Sequence, residues 1–92
     1  LFIDDEKNAV YVSDKNVELT YKEYELLKYL AYNKGIVLTR DNLMDKIWST
    51  DYEGESRTLD VHIKTLRQKL GVAGSYIRTV RNVGYYLDEE KN

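Results

Sequence analysis

The chain has 92 residues, which is enough for one domain with a single modest core. Hydrophobic residues make up 42% and charged residues 33%, as in ordinary globular proteins, and no apolar run approaches the roughly 18 residues of a membrane helix. The sequence has no cysteine and one histidine, which excludes disulfide frameworks, cysteine-ligated metal sites and most histidine-based metal sites. We expect neither a metal nor a cofactor. We also expect a cytoplasmic location, with which the absence of cysteine is compatible without establishing it.

The formal net charge of −2 conceals an uneven distribution. Residues 57–81 contain six basic residues and one acidic residue, whereas residues 1–56 contain seven basic and twelve acidic residues. A basic segment in an acidic chain favours a polyanionic partner, although a solvated charged face would give the same count. The sequence begins at Leu1 within an apolar run, and we expect it to be part of a longer protein.

The first 20 residues predict a small antiparallel sheet. Short apolar runs around Ile3, Val10 and Val17 are separated by polar segments at residues 4–8 and 13–16. Polar linkers of this length favour hairpins between neighbouring strands.

Three helices follow in the sequence. Thr20–Glu23 has the pattern of a capping box, and the first helix should end at Gly35 in a left-handed conformation. A second helix should begin at Thr39. The third should run over residues 56–70 and stop at Gly71.

The C-terminal part of the chain predicts a hairpin over residues 76–88. Apolar residues at 77, 80, 85 and 87 indicate two strands. The segment Arg81-Asn82-Val83-Gly84 suits the turn between them, because Asn and Gly tolerate positive φ.

The third helix has two different faces. At about 100° per residue, its apolar side chains form a narrow stripe towards the core, namely Leu59, Ile63, Leu66 and Leu70. The opposite face consists of Arg57, Val61, Lys64 and Gln68, and it is flanked by Thr58 and Thr65. Cations, an amide, hydroxyls and methyl groups are the set that reads DNA base edges in the major groove. A merely soluble outer face is the alternative.

The order of these motifs resembles that of OmpR/PhoB-type response regulators. Residues 56–63 and 66–70 resemble the recognition helix of that family, and residues 79–85 resemble its wing hairpin. Residues 19–27 and 38–48 resemble its first and second helices. The resemblance covers essentially the whole chain.

The resemblance implies an α+β fold, the winged helix-turn-helix, in a domain that binds double-stranded DNA and controls transcription in a two-component system. An N-terminal four-stranded antiparallel sheet within residues 1–20 would precede three helices and a C-terminal β-hairpin, the wing. The recognition helix, residues 56–70, would enter the major groove, and the wing, residues 76–88, would reach the adjacent minor groove.

The resemblance also implies roles for single residues. Base readout would fall on Thr58, Val61, Lys64 and Thr65, and since many relatives have Arg at position 65, Thr65 suggests a different half-site. Contacts to phosphate or sugar would come from Arg57, His62, Arg67, Arg40, Trp48, Thr79 and Tyr85. The wing would place Arg81 and Asn82 at the minor groove.

Some of these residues also have structural interpretations. A histidine beside an apolar stripe, such as His62, is more often packed against the protein than bound to a ligand. For Trp48, packing in the core is favoured over contact with a phosphate. Tyr85 could contact a phosphate or pack within the hairpin. Arg67 could pair with Asp60 or reach a phosphate.

The segment between the second and third helices resembles the loop by which the family contacts RNA polymerase. It comprises Ser49, Thr50, Asp51, Tyr52, Glu53, Gly54 and Glu55. Full-length members carry an upstream receiver domain, phosphorylated by a sensor histidine kinase, and commonly bind direct repeats of DNA as head-to-tail pairs. The expected partners are therefore DNA, RNA polymerase, a second copy of the protein and the kinase. We expect no contact with a membrane.

Other functions fit less well. A hydrolase triad could be suggested by Ser56, Asp60 and His62. Helical spacing, however, puts Ser56 and His62 about 120° apart around the helix axis, so we expect no enzymatic activity. A winged helix used only for protein contacts would suit the acidic residues 51–55. A DNA-binding regulator without a receiver domain, or tethered to a membrane, is a further alternative.

Overall fold

The N-terminal residues form the predicted antiparallel sheet. The computed structural model describes residues 1–48 and 57–88, with the backbone alone at position 57. Strands β1 (Phe2–Asp4), β2 (Ala9–Val12) and β3 (Lys15–Val17) pair in the order β1-β2-β3. This sheet has three strands, so the expectation of four is wrong. The reason is local, because only three residues separate β3 from the next helix.

The first helix, α1 (Tyr21–Tyr32), begins at the predicted capping box. The hydroxyl of Thr20 accepts a hydrogen bond from the Glu23 amide at 3.2 Å, and the Glu23 carboxylate accepts one from the Thr20 amide at 2.9 Å. These bonds satisfy two amides at the helix start. Gly35, with a φ of 84°, follows the helix as predicted.

The second and third helices also begin and end at recognisable signals. Helix α2 (Arg40–Trp48) is capped by Thr39, whose hydroxyl accepts a hydrogen bond from the Asn42 amide at 3.1 Å. Helix α3 (Arg57–Leu70) stops at Gly71, with a φ of 62°, and a short 3₁₀ segment leads to the wing.

The wing belongs to a second sheet of three strands. Strands β5 (Ile77–Val80) and β6 (Gly84–Leu87) form the predicted hairpin, with Asn82 at a φ of 64° in its turn. The other edge of β6 pairs with β4 (Leu38–Thr39), the two residues before α2. The start of α2 is therefore fixed against the wing.

One core joins the helices and the wing. The predicted stripe of α3 is fully buried, and it packs with apolar residues of α1, α2 and β6. The main contributors are Leu26, Leu27, Leu30, Leu43, Met44, Leu59, Ile63, Leu66, Leu70 and Leu87. Since the leucine side of α3 is committed to the core, its opposite side lies at the surface.

Candidate nucleic-acid interface

The outer face of α3 is accessible and mixed in chemistry. Val61 is 55% exposed, and Lys64 and Gln68 are exposed beside it. Thr58 and Thr65 are half-buried at its flanks, and the Thr65 hydroxyl donates to the Val61 carbonyl at 2.9 Å. An exposed valine between polar donors gains nothing from water, so this face suits contact with base edges and thymine methyl groups.

His62 and Trp48 pack together at the edge of this face. Their rings meet edge to face with centroids 5.0 Å apart, and both residues are half-buried. The His62 Nδ1 atom lies 2.8 Å from the Thr58 carbonyl oxygen. Because a carbonyl oxygen only accepts, Nδ1 is the donor in this contact, and Nε2 is the ring nitrogen left for another partner.

Lys22 of α1 completes the packing around Trp48. Its ammonium group lies 5.6 Å from the centre of the indole ring and donates to the carbonyl of Ile47 at 2.7 Å. That carbonyl is one of the last in α2, where a cation is favourable. The indole of α2 is therefore held between a residue of α1 and a residue of α3.

The tip of the wing exposes its polar residues. Arg81 and Asn82 are exposed in the turn, and Thr79 is exposed on β5. The turn is closed by a hydrogen bond from the Val83 amide to the Val80 carbonyl at 2.9 Å. A short, hydrogen-bonded turn with an exposed guanidinium is suited to a narrow groove lined with phosphates.

Asp60 lies at the meeting point of α2, α3 and the wing. Two guanidinium nitrogens of Arg40 donate to its two carboxylate oxygens, at 2.7 and 3.0 Å, and the Tyr85 hydroxyl donates to one of them at 2.7 Å. The hydrogen bonds from Arg40, against the effect of burial and together with that from Tyr85, hold the pKa of Asp60 below its ordinary value.

Arg67 connects α3 to strand β5. Its guanidinium donates twice to the Ile77 carbonyl, at 3.2 and 2.7 Å, and once to the Thr79 hydroxyl, at 2.7 Å. It also lies 5.8 Å from the centre of the Tyr85 ring. The alternative of an Arg67–Asp60 pair is wrong, because the two residues are about 10 Å apart along the helix and Arg40 occupies the carboxylate.

Residues 14–87 match the family described as "Transcriptional regulatory protein, C terminal". The chain is 43% identical over 89 residues to the sensory transduction protein RegX3 of Mycobacterium tuberculosis, covering 94% of this chain and 39% of RegX3. It is 46% identical over 84 residues to the alkaline phosphatase synthesis transcriptional regulatory protein PhoP of Bacillus subtilis, covering 88% of this chain and 35% of PhoP. The crystal structure of the Klebsiella pneumoniae RstA DNA-binding domain in complex with the RstA box is 35% identical, with a TM-score of 0.82, covering 94% of this chain and 88% of that chain.

The chain belongs to the OmpR/PhoB-type family of DNA-binding domains. The family, the α+β winged-helix fold and the DNA-binding effector function that the sequence resemblance implies are confirmed. The effector domain spans less than half the length of RegX3 and PhoP. Among its described residues, no helix is long and apolar enough to cross a membrane, and no group of side chains is arranged to ligate a metal.

The effector domain brings some expected site residues together and engages others internally. Thr58, Val61, Lys64 and Thr65 lie along one face of α3. Tyr85, in contrast, is only 6% exposed and uses its hydroxyl on Asp60, which favours the packing interpretation. The polymerase loop, residues 49–55, and the side chain of Arg57 lie outside the described residues.

The cluster around Asp60 was missed by the sequence reasoning. Its members are separated by 20 residues between Arg40 and Asp60 and by 25 between Asp60 and Tyr85. No periodicity or short motif links positions so far apart. The available signal was an acidic residue within the basic segment, which requires a cation nearby if it faces a polyanion.

Proposed function

We propose that the effector domain binds DNA sequence-specifically, with α3 in the major groove and the wing in the adjacent minor groove. The observation that carries this proposal is the attachment of the wing to α3 by Arg67, beside an outer helix face that the core leaves exposed. A helix with exposed readout residues and a rigid neighbouring hairpin match the two grooves of B-DNA. The DNA-bound RstA domain, which has the same fold, supports this assignment.

The roles of the residues are assigned from their chemistry and, where the structure describes the side chain, from its exposure. Base readout is assigned to Thr58, Val61, Lys64 and Thr65, and minor-groove contact to Arg81 and Asn82. Phosphate or sugar contacts are assigned to Arg40, Trp48, Arg57, His62, Arg67 and Thr79. Arg40 and Arg67 would make these contacts in addition to their bonds to Asp60 and to strand β5, since a guanidinium has five N–H donors. Tyr85 is assigned to the support of the wing, because its hydroxyl is already bound to Asp60.

The longer protein is proposed to be a two-component response regulator. Its receiver domain would lie upstream and accept a phosphoryl group from a sensor histidine kinase. Head-to-tail pairing of two copies on direct repeats and contact of residues 49–55 with RNA polymerase complete the proposal. We assign no enzymatic activity to the domain itself, and we propose a cytoplasmic location.

Base readout is tested by comparing specific with random DNA. A duplex selected from a random pool with the wild-type domain serves as the specific probe. Lys64→Ala and Val61→Ala should each weaken binding to it by about 1–3 kcal/mol and spare a random duplex, since base contacts act only on the correct site. Titrations followed by fluorescence anisotropy provide both affinities. Equal losses on the two duplexes would exclude base readout by these side chains.

A winged helix used only for protein contacts is the competing function. The basic character of residues 57–81 favours DNA over that alternative. If DNA is the partner, the logarithm of the affinity falls by about 0.9 per neutralised phosphate for each tenfold rise in salt. An interaction with a protein surface lacks this steep dependence.

A further inference from the structure

The wing is held by a cluster of four side chains that we call the wing junction: Arg40, Asp60, Arg67 and Tyr85. Tyr85 is at its centre, because its hydroxyl donates to Asp60 and its ring lies beneath the Arg67 guanidinium. Arg40 binds Asp60 through two nitrogens, and Arg67 donates to both Ile77 and Thr79 of β5. The junction therefore links the start of α2, the first and last turns of α3 and both strands of the wing.

Asp60 is chemically out of place on a helix that binds DNA. A carboxylate repels phosphates, and its side chain is 47% exposed, so burial does not conceal it. Arg40 neutralises this charge in a bidentate salt bridge, whose geometry restricts the orientation of both side chains. The contribution of Asp60 is therefore positional, because a neutral residue would serve DNA affinity better.

The wing needs such support because it is small. Strands β5 and β6 have four residues each, and β4 adds two. A hairpin of this size is marginal without packing against another element. Backbone pairing sets the shape of the sheet, and the buried side chains of Ile77 and Leu87 hold it on the core. The wing junction adds directional hydrogen bonds that restrain its angle to α3.

We infer that the wing junction is a specificity-determining element that fixes the spacing between the base pairs read by α3 and the minor-groove step met by the wing. Asp60 and Tyr85 act as positioning residues and need not touch DNA. This inference rests on the proposed binding mode. Its consequence is that the domain discriminates between DNA sites that contain the same two sequence elements at different spacings.

The test measures tolerance to altered spacing. The duplex selected with the wild-type domain is compared with one in which a single base pair is inserted between the segments protected by α3 and by the wing. The insertion moves the second segment by about 3.4 Å and about 35° around the axis. We expect the wild-type domain to bind the original duplex at least about tenfold more tightly, since one of its two contacts is lost on the other.

Asp60→Asn and Tyr85→Phe should each reduce the ratio of the two affinities by roughly three- to tenfold, which lies in the lower part of the range found for coupling between contacting groups. Asp60→Asn should also bind a random duplex as tightly as the wild type or more tightly, because it removes a negative charge. A smaller folded fraction lowers the apparent affinity for both duplexes by the same factor. Loss of stability alone therefore leaves the ratio of the two affinities unchanged. If one variant fails to fold, the other carries the test.

Tyr86→Phe is the matched control, because Tyr86 is adjacent in β6 and points to the other face of the strand. Its ratio should equal that of the wild type. If the Asp60 and Tyr85 variants keep the wild-type ratio of affinities for the two spacings, the proposed binding mode still stands and the inference is overturned. A wild-type domain without any preference for spacing would overturn it together with the proposed use of both grooves.

Discussion

At the scale of single residues, Glu23 is the buried charge on which the domain depends. It is 3% exposed, and one of its carboxylate oxygens accepts hydrogen bonds from the Thr20 amide at 2.9 Å and from the Lys69 ammonium group at 2.8 Å. Burial alone would raise the pKa of Glu23, but the hydrogen bonds from Lys69 and Thr20 outweigh it and hold the pKa below its ordinary value. One carboxylate thus ties the entry to α1 to the last turn of α3.

Glu23→Gln should destabilise the domain by about 1–3 kcal/mol at neutral pH, because the charged partner of Lys69 is lost. A lowered pKa in the folded state means that the charge stabilises the fold above the ordinary carboxyl value of 4.5. This stabilisation is lost as the pH falls through the lower value of the folded state. Urea denaturation should therefore show the two proteins converging in acid.

Glu25→Gln is the control for this comparison, since Glu25 lies about 200° around the same helix. It should change the free energy of unfolding by no more than about 0.5 kcal/mol. A difference between wild type and Glu23→Gln that stays constant from neutral pH to acid would contradict the role of the ion pair.

At the scale of secondary structure, local signals are sufficient for most of the fold. The capping box, the glycines after α1 and α3, and the turn at Asn82 each act within a few residues, and each was predicted correctly. Strand β4 gives no such signal, because its two residues become a strand only by pairing with β6, more than 40 residues away. The same limit applies to the candidate site, where the face of α3 follows from periodicity but the wing junction does not.

Gly84 is the residue that this long-range pairing requires. A Cβ atom at position 84 would overlap the carbonyl oxygen of Leu38 in β4, and backbone cannot move aside as a flexible side chain can. Gly84→Ala should therefore separate β4 from β6 and cost at least about 2 kcal/mol, at the upper end of overpacking effects. Denaturant titration followed by circular dichroism measures this loss.

Gly71→Ala provides the comparison for Gly84→Ala. A Cβ atom at Gly71 meets nothing within 4 Å, so the cost is only that of a positive φ, about 1 kcal/mol. The larger effect at Gly84 should also appear as weaker binding to the selected duplex, because β4 precedes α2 and pairs with the wing. Equal costs at the two glycines would show that contact with β4 is unimportant.

At the scale of the whole molecule, charge is divided between two parts of the fold. The N-terminal sheet and its turns, residues 1–20, carry five acidic and two basic residues. The segment from α3 to the wing turn, residues 57–81, carries six basic residues, and its single carboxylate is paired with Arg40. A net charge of −2 is therefore compatible with DNA binding, since the domain can orient its basic part towards a polyanion.

Salt dependence provides a whole-molecule test of that orientation. Arg57→Ala and Arg81→Ala should each reduce the slope of log affinity against log salt by about 0.9 if each removes one phosphate contact. Lys7→Ala and Lys15→Ala remove the same charge from the N-terminal sheet and should leave the slope unchanged, although long-range attraction can lower the affinity slightly. Measurements on a random duplex between about 50 and 200 mM salt suffice. A reduced slope for the sheet variants, with no change for Arg57→Ala and Arg81→Ala, would mean that DNA lies against the sheet and that α3 faces away from it.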